Sequence, residues 1–311
     1  MRGLFIVNPR ATSTTTRARD VIVRAFASEL ELRVTHTAHR GHATELARAA
    51  SQAGDDVVVC LGGDGTVNEA ANGILETPAG QRPLLAALPG GSANVFVRSL
   101  GLPADPIEAS GAILESLRRN SPRTIGVGRL DDGITLRHFL FCAGLGWDAS
   151  VIRAVEKQRR SGARASPARY AAAAVRVFLA ERTLRAPAVS LEIPGHPPLE
   201  NLQLALVTNT TPWTYAGAVP IQPTPRARFD LGLDAFATTR LDPATALWLV
   251  GQMVRPSGLS DRGRGYVSWH DEAEITLRAT PGHPLQIDGE YLGERQYAHF
   301  TAIPNALQIV E

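Results

Sequence analysis

Residues Cys60, Leu61, Gly62, Gly63, Asp64, Gly65, Thr66, Val67, Asn68 and Glu69 close a β-branched run at 57–59 and open a helical pattern of apolar residues at Ala70, Ala71, Ile74 and Leu75. This reads as strand, glycine turn, helix. Three glycines around one aspartate let the backbone approach a bulky anion, and the N–H groups of a helix start offer that anion a favourable dipole. A phosphate is therefore expected at the turn. A tight turn that binds nothing is what the glycines by themselves also allow.

The rest of the N-terminal half argues for the ligand. Asn8, Pro9, Arg10, Ala11 and Thr12 follow a first strand at 4–7, and Pro89, Gly90, Gly91, Ser92, Ala93 and Asn94 follow a fourth at 84–88. Strands alternate with helical patterns up to about residue 120, the pattern of a doubly wound parallel sheet. In such a sheet the carboxyl ends of the strands share one edge, so the three turns should converge on one crevice. From 123 onward the pattern changes to short strands separated by Gly and Pro turns, at 124–129, 135–143, 188–193, 202–208, 233–238, 267–269, 274–278 and 285–287. These suggest a mostly antiparallel β-sandwich. The fold expected is α/β: a nucleotide-binding domain at 1–122 and a sandwich domain at 123–297, with 298–311 returning to the first. Between Asp148 and Arg185 an inserted helical region carries Lys157, Arg159, Arg160, Arg164 and Arg169 beside an alanine-rich apolar stretch at 170–179. It is read either as a solvated charge run or as a basic face for an anionic bilayer.

Composition sets the remaining bounds. The 311 residues, 44% hydrophobic and 20% charged, can bury a sizeable core, and the net charge of +2 comes without any basic stripe interleaved with aromatics, so nucleic acid is not an expected partner. Cys60 and Cys142 sit in apolar runs as small hydrophobes, with no disulfide or zinc spacing. His36, His39 and His42 straddle a strand end and are expected to be solvated surface residues rather than metal ligands. No secretion signal or membrane span is read, and a cytoplasmic location with peripheral membrane contact is expected.

The ordered set of motifs resembles the diacylglycerol kinase and sphingosine kinase family of lipid kinases, in its soluble bacterial branch. The resemblance is carried by Gly62, Gly63, Asp64, Gly65 and Thr66 with Asn68 and Glu69, by the Asn8-Pro9 turn, and by Gly91, Ser92, Ala93 and Asn94. Gly144, Leu145, Gly146, Trp147, Asp148 and Ala149, and Asp288, Gly289 and Glu290, extend it over nearly the whole chain. It implies ATP and Mg²⁺ as cofactors, a lipid such as diacylglycerol or a sphingoid-type lipid as acceptor, and a cleft between the two domains as the place of transfer. A homodimer is among the assemblies it allows. A NAD kinase shares the glycine-aspartate motif, and a non-catalytic nucleotide-binding regulator could use the same fold; both remain as alternatives.

Each task of phosphoryl transfer then has candidates. Gly62, Gly63, Gly65 and Thr66, with Asn8, Thr12 and Ser92, can cradle phosphates through N–H and hydroxyl groups, whereas Asp64 would repel a phosphate and should hold Mg²⁺ or a proton. The resemblance adds Thr37 as a nucleotide contact, with Pro9, Arg10, Ala11, Asn68, Glu69 and Asn94 in the nucleotide-binding turns. By its pattern alone Asp288-Gly289 reads as a hairpin turn. The bacterial relatives instead imply Asp288, assisted by Glu290, as the base that takes the hydroxyl proton, and the sphingosine kinases imply Asp64. Asp230 and Asp234 frame a segment where bacterial relatives carry two adjacent aspartates near a structural Mg²⁺, although Leu231 stands here in the second of those positions.

Overall fold

The computed structural model describes residues 1–9, 11, 14–160 (158–160 by backbone only), 176, 188–240, 242–255, 258–263 and 265–311. Arg10, Thr12, the side chains of Arg159 and Arg160, and Arg164 and Arg169 with nearly all of the 170–179 stretch lie outside the described residues. The chain forms two compact units, Met1–Gly126 with Asn305–Glu311, and Val127–Pro304.

In the first unit β1 (Arg2–Val7), β3 (Val57–Gly62) and β4 (Leu84–Pro89) are almost wholly buried apolar runs. Parallel strands covered by helices on both faces require that pattern. β2 (Glu31–His36) is largely exposed and forms the edge. The strands run parallel in the order β2-β1-β3-β4. Ile309 and Val310, at the end of the last strand, β17 (Glu290–Val310), add alongside β4. The chain leaves β1 in one direction through α1 (Thr16–Ala27) to β2, then crosses back through α2 (His42–Gln52) to β3. With right-handed crossovers, that reversal puts α1 and α2 on opposite faces and opens a switch point between the carboxyl ends of β1 and β3. α2 packs against α3 (Asp64–Leu75), and α1 against α5 (Pro106–Arg119). Local chemistry fixes the helix starts. Thr15 accepts the Ala18 N–H at 3.2 Å, and Asp105, followed by Pro106, accepts those of Ile107 and Glu108.

The second unit is antiparallel. β7 (Cys142–Gly146) pairs with β10 (Leu204–Thr208), which pairs with β13 (Leu233–Thr238), which pairs with β15 (Tyr266–Glu272). The long strand β16 (Glu274–Ile287) pairs with β8 (Val189–Glu192) along its first half, with β7 at its end, and with β17 along most of its length. The segments expected as separate strands at 274–278 and 285–287 are therefore one strand, whose register shifts between Arg278 and His283. β17 runs through 298–310, in line with the return of the last segment to the first unit. Between the strands Leu145, Val207, Leu233, Leu277, Ile287 and Phe300 share one buried core. The sequence reading did not register the helix α7 (Pro243–Met253), whose Leu249 and Met253 cover Leu206 and Phe236 on the opposite side of β10 and β13. No helix among the described residues is long and apolar enough to cross a membrane.

The returning segment is tied to the first unit by Arg82, whose guanidinium donates to the carbonyls of Thr77, Leu75 and Ala306. Arg82→Met leaves those carbonyls without their charged donor. It should lower the unfolding free energy in urea by about 2 kcal/mol, the scale of hydrogen bonds to a charged group; an unchanged midpoint would show that the segment is held by its strand pairing alone.

Candidate functional site

The turns after β1, β2, β3 and β4 lie at the shared carboxyl edge of the parallel sheet, and contacts join three of them. Asn8 Nδ2 donates to Thr66 Oγ1 at 2.8 Å across the switch point, and the Asn8 N–H donates to Leu61 O. Gly90 N–H donates to Gly62 O at 2.8 Å. Thr37 follows at the end of β2, its N–H on Val7 O.

Two of these turns touch backbone to backbone. A Cβ on Gly91 would lie 2.6 Å from Gly63 Cα, one on Gly90 2.8 Å from Gly62 Cα, and one on Gly62 2.7 Å from Thr66 Cβ. These glycines are required by internal packing. Gly65 differs: a Cβ there would meet nothing within 4 Å, and the residue is exposed in the first turn of α3. No contact among the described residues requires a glycine at 65, and the space beside it is open. Gly63 caps α3 without a side chain, and the first turn of that helix carries Asp64.

Several residues expected to touch the nucleotide have structural tasks instead or as well. Asn94, in the left-handed region, closes its own turn by accepting the Gly91 N–H at 2.7 Å and donating to Gly91 O. Glu69 Oε2 accepts the Ala43 N–H at the start of α2, a helix whose Gly41 cap offers no side chain. The buried Asn68 accepts from Asn72 Nδ2. Asp64 Oδ1 accepts the Phe96 N–H at 3.1 Å, which anchors its half-buried carboxylate to the start of the short helix α4 (Val95–Ser99). Burial pushes this carboxyl above the usual range, opposed by the N–H groups of Phe96, Val95, Asp64 and Asn94. A divalent cation beside it would favour the ionised form. An Mg²⁺ arriving on a triphosphate needs one or two carboxylates and otherwise phosphate and water oxygens, which this turn can supply through Asp64. Pro9 and Ser92 are exposed and Ala11 is partly so.

In the second unit Asp288 (φ 45°) and Gly289 (φ 77°) join β16 to β17 as a two-residue hairpin turn, both in the left-handed conformation that makes Asp-Gly a favoured pair. The turn does more than reverse the chain. The buried carboxylate of Asp288 accepts the Leu140 N–H on Oδ2 at 2.6 Å and those of Phe141 and Cys142 on Oδ1 at 3.0 Å, while its own N–H donates to Cys142 O. Glu290 is held by Arg137 through two bonds, at 2.9 and 3.1 Å. Asn209 Nδ2 donates to Leu140 O and steadies the same loop.

The structure does not assemble a shared metal site from Asp230 and Asp234. Asp230 is exposed and taken by Arg228 through two bonds at 3.0 Å, whereas the buried Asp234 accepts from His270 Nδ1 and the Asp271 N–H. Glu45, three residues after His42, comes within reach of His39 and His42, their ligand atoms within 4.8 Å of one another. His42 Nδ1 accepts the Ala38 N–H at 2.9 Å, so the neutral ring carries its proton on Nε2 and has no lone pair left for a metal.

Comparison with known proteins bears chiefly on the first unit. Residues 2–130 match the diacylglycerol kinase catalytic domain. A "probable lipid kinase YegS-like" protein of Chromohalobacter salexigens is 41% identical over 129 residues, covering 42% of this chain and 38% of that relative. The diacylglycerol kinase of Bacillus subtilis is 34% identical over 114 residues, covering 36% of this chain and 34% of the relative. These alignments thus span little more than a third of each relative's length. A crystal structure titled as a diacylglycerol kinase from Bacillus anthracis covers 99% of this chain and 96% of its own, with a TM-score of 0.73 at 20% identity. At that identity the likeness is one of fold, and it extends over both units.

Arg137, Asn209 and Gln286 were not singled out from the sequence. Gln286 carried a signal, an amide inside the apolar strand end Leu285-Gln286-Ile287 beside the Asp-Gly turn; Arg137 and Asn209 carried none. The two classes of glycine separate by experiment. Gly91→Ala should destabilise the fold by about 1–3 kcal/mol, since backbone must move. Gly65→Ala should leave the thermal midpoint within about 2 °C of wild type, and Gly65→Val should weaken ATP binding at least tenfold by calorimetry. Normal ATP affinity in Gly65→Val would remove the cradle.

Proposed function

We propose that the protein is an ATP-dependent lipid kinase, transferring the γ-phosphate of ATP·Mg²⁺ to the hydroxyl of a lipid such as diacylglycerol or a sphingoid-type lipid. The observation that carries this reading is Gly65, a glycine with no packing reason at the switch-point edge of a domain that matches the diacylglycerol kinase catalytic domain. The names of the relatives favour a lipid acceptor over NAD.

In this reading Gly63, Gly65, Thr66, Asn8 and Ser92 surround the phosphates, and Asp64 would hold the Mg²⁺ that accompanies ATP, an ion that would supply charge neutralisation there. Asp288 receives the proton of the acceptor hydroxyl. Its three backbone N–H partners aim the carboxylate, and in a loose transition state aim counts for more than strength of base. Glu290, fixed by Arg137, keeps negative charge beside it. Asp64 is the rival base.

A lipid acceptor also requires contact with a bilayer. On α7 the face opposite the core exposes Leu247 (76%), Trp248 (46%) and Val250 (47%), with the exposed Arg240 and Arg255 just beyond its two ends. Apolar residues that include a tryptophan, with Arg255 beyond one end and Arg240 paired with Asp242 beyond the other, suit a membrane interface. This face supports peripheral contact more directly than the arginine-rich 159–169 segment. Leu247→Glu should leave stability unchanged and reduce pelleting with anionic vesicles several-fold at low salt; equal pelleting would exclude this face.

The deciding assay is transfer of the γ-phosphate to diacylglycerol, sphingoid base, ceramide, phosphatidylglycerol and NAD in parallel. Phosphate on a lipid supports the proposal, and phosphate on NAD alone, or on nothing, refutes it. Asp288→Asn tests the base. Its amide N–H₂ must face at least one of the backbone donors now satisfied by the carboxylate, so a loss of about 1–3 kcal/mol of stability is expected alongside a fall in kcat of about 10² to 10⁴ with ATP affinity retained. A folded Asp288→Asn enzyme with kcat within about threefold of wild type would transfer the role away from Asp288.

A further inference from the structure

One buried acid in the second unit has no part in the mechanism above. Asp148 opens the helix α6 (Trp147–Arg160), is 3% exposed, and has one carboxylate oxygen, Oδ1, buried without a partner. Burial pushes its carboxyl up to about 7, against the hydrogen bond from Gln286 and the N–H groups of Ala149 and Asp148 at the helix start. The strand beside it is shaped to admit it: a Cβ on Gly144 would lie 2.0 Å from Asp148 Oδ2. An acid kept here at that cost, with a glycine opposite it, invites a functional explanation.

The hydrogen bonds show where it acts. Asp148 Oδ2 accepts from Gln286 Nε2 at 3.0 Å, and Gln286 Oε1 accepts the Gly289 N–H at 2.9 Å. Gln286 is 1% exposed, and its Nε2 also reaches Cys142 Sγ at 3.6 Å, on the residue whose N–H holds Asp288. A primary amide has a donor end and an acceptor end. If Gln286 turned over, its N–H₂ would confront the Gly289 N–H and the turn would lose its tether. The carboxylate oxygen facing Nε2 selects the orientation in which the acceptor end meets the turn.

We propose that Asp148 is a positioning residue of the phosphoryl-transfer site: by fixing the amide of Gln286 it holds the Asp288-Gly289-Glu290 turn in the geometry that presents Asp288 to the acceptor hydroxyl. This rests on the kinase reading above, and one arm of the test needs no activity. In the full-length protein, free of ATP and lipid, amide hydrogen exchange is compared at 286–290 in wild type, Asp148→Ala, Gln286→Leu and Asp148→Asn. Exchange should rise at least about tenfold in the first two variants, and Asp148→Asn, which keeps an acceptor oxygen and is the variant safest for folding, should recover most of that rise. In the kinase assay Asp148→Ala and Gln286→Leu should lower kcat about tenfold with the KM values for ATP and acceptor within about twofold, again largely recovered by Asp148→Asn. Wild-type exchange in folded Asp148→Ala or Gln286→Leu overturns the tether. A wild-type kcat, or a loss confined to KM, overturns its role in catalysis. A wild type inactive toward every acceptor refutes the kinase reading instead, and the exchange comparison still decides whether Asp148 orders the turn.

Discussion

The contact on which the first unit depends is backbone against backbone, where the Gly62-Gly63 turn meets the Gly90-Gly91 turn with a 2.8 Å hydrogen bond from Gly90 N–H to Gly62 O. No side chain fits in that contact, and its closeness brings the starts of α3 and α4 together so that Asp64 on one can accept the Phe96 N–H on the other. Asn8 then spans from β1 to Thr66. Together these bonds turn separate turns into one rigid edge, and a rigid edge is what the recognition of a triphosphate by N–H groups requires. Gly65 is the remaining glycine, and it stands clear of all of this.

The second unit uses the same device in a different setting. A carboxylate on a hairpin turn, Asp288, gathers the N–H groups of residues 140–142, and Gln286, Asn209 and Arg137 hold the surrounding loop and the neighbouring Glu290. Each acid considered for chemistry is thus bound by backbone or by a cation before any ligand arrives. Such acids have little orientation left to lose when a ligand binds.

Much of this was legible in the sequence. The alternation of apolar runs with glycine turns up to about 120 gave the parallel sheet and its shared edge, and the Gly62-Gly63-Asp64-Gly65-Thr66 turn was recognisable because strand and helix patterns flank it so plainly. Tertiary relationships were not legible. Nothing local distinguishes Gly65, which faces outward, from Gly91, which packs on Gly63, and nothing in Glu69 announces that it caps α2. Asp288-Gly289 showed itself as a hairpin turn, and it is one; the amide cluster around its carboxylate comes from residues far away in the chain. The resemblance suggested a metal near Asp230 and Asp234, whereas Arg228 and His270 hold the two carboxylates separately. The helix α7 escaped notice because its apolar residues run around both faces, so it lacks the one-sided period by which helices are recognised.

In the proposed kinase the phosphates of ATP lie at the carboxyl edge of β1, β3 and β4, against Gly65. Backbone ¹H–¹⁵N spectra of the full-length protein, titrated with ATP and Mg²⁺, test it most directly. Saturable shifts are expected at Gly63, Gly65, Thr66 and Ser92, with the amides at the amino ends of the same strands unmoved. Saturable ATP binding that leaves the Gly65 amide where it was would contradict it.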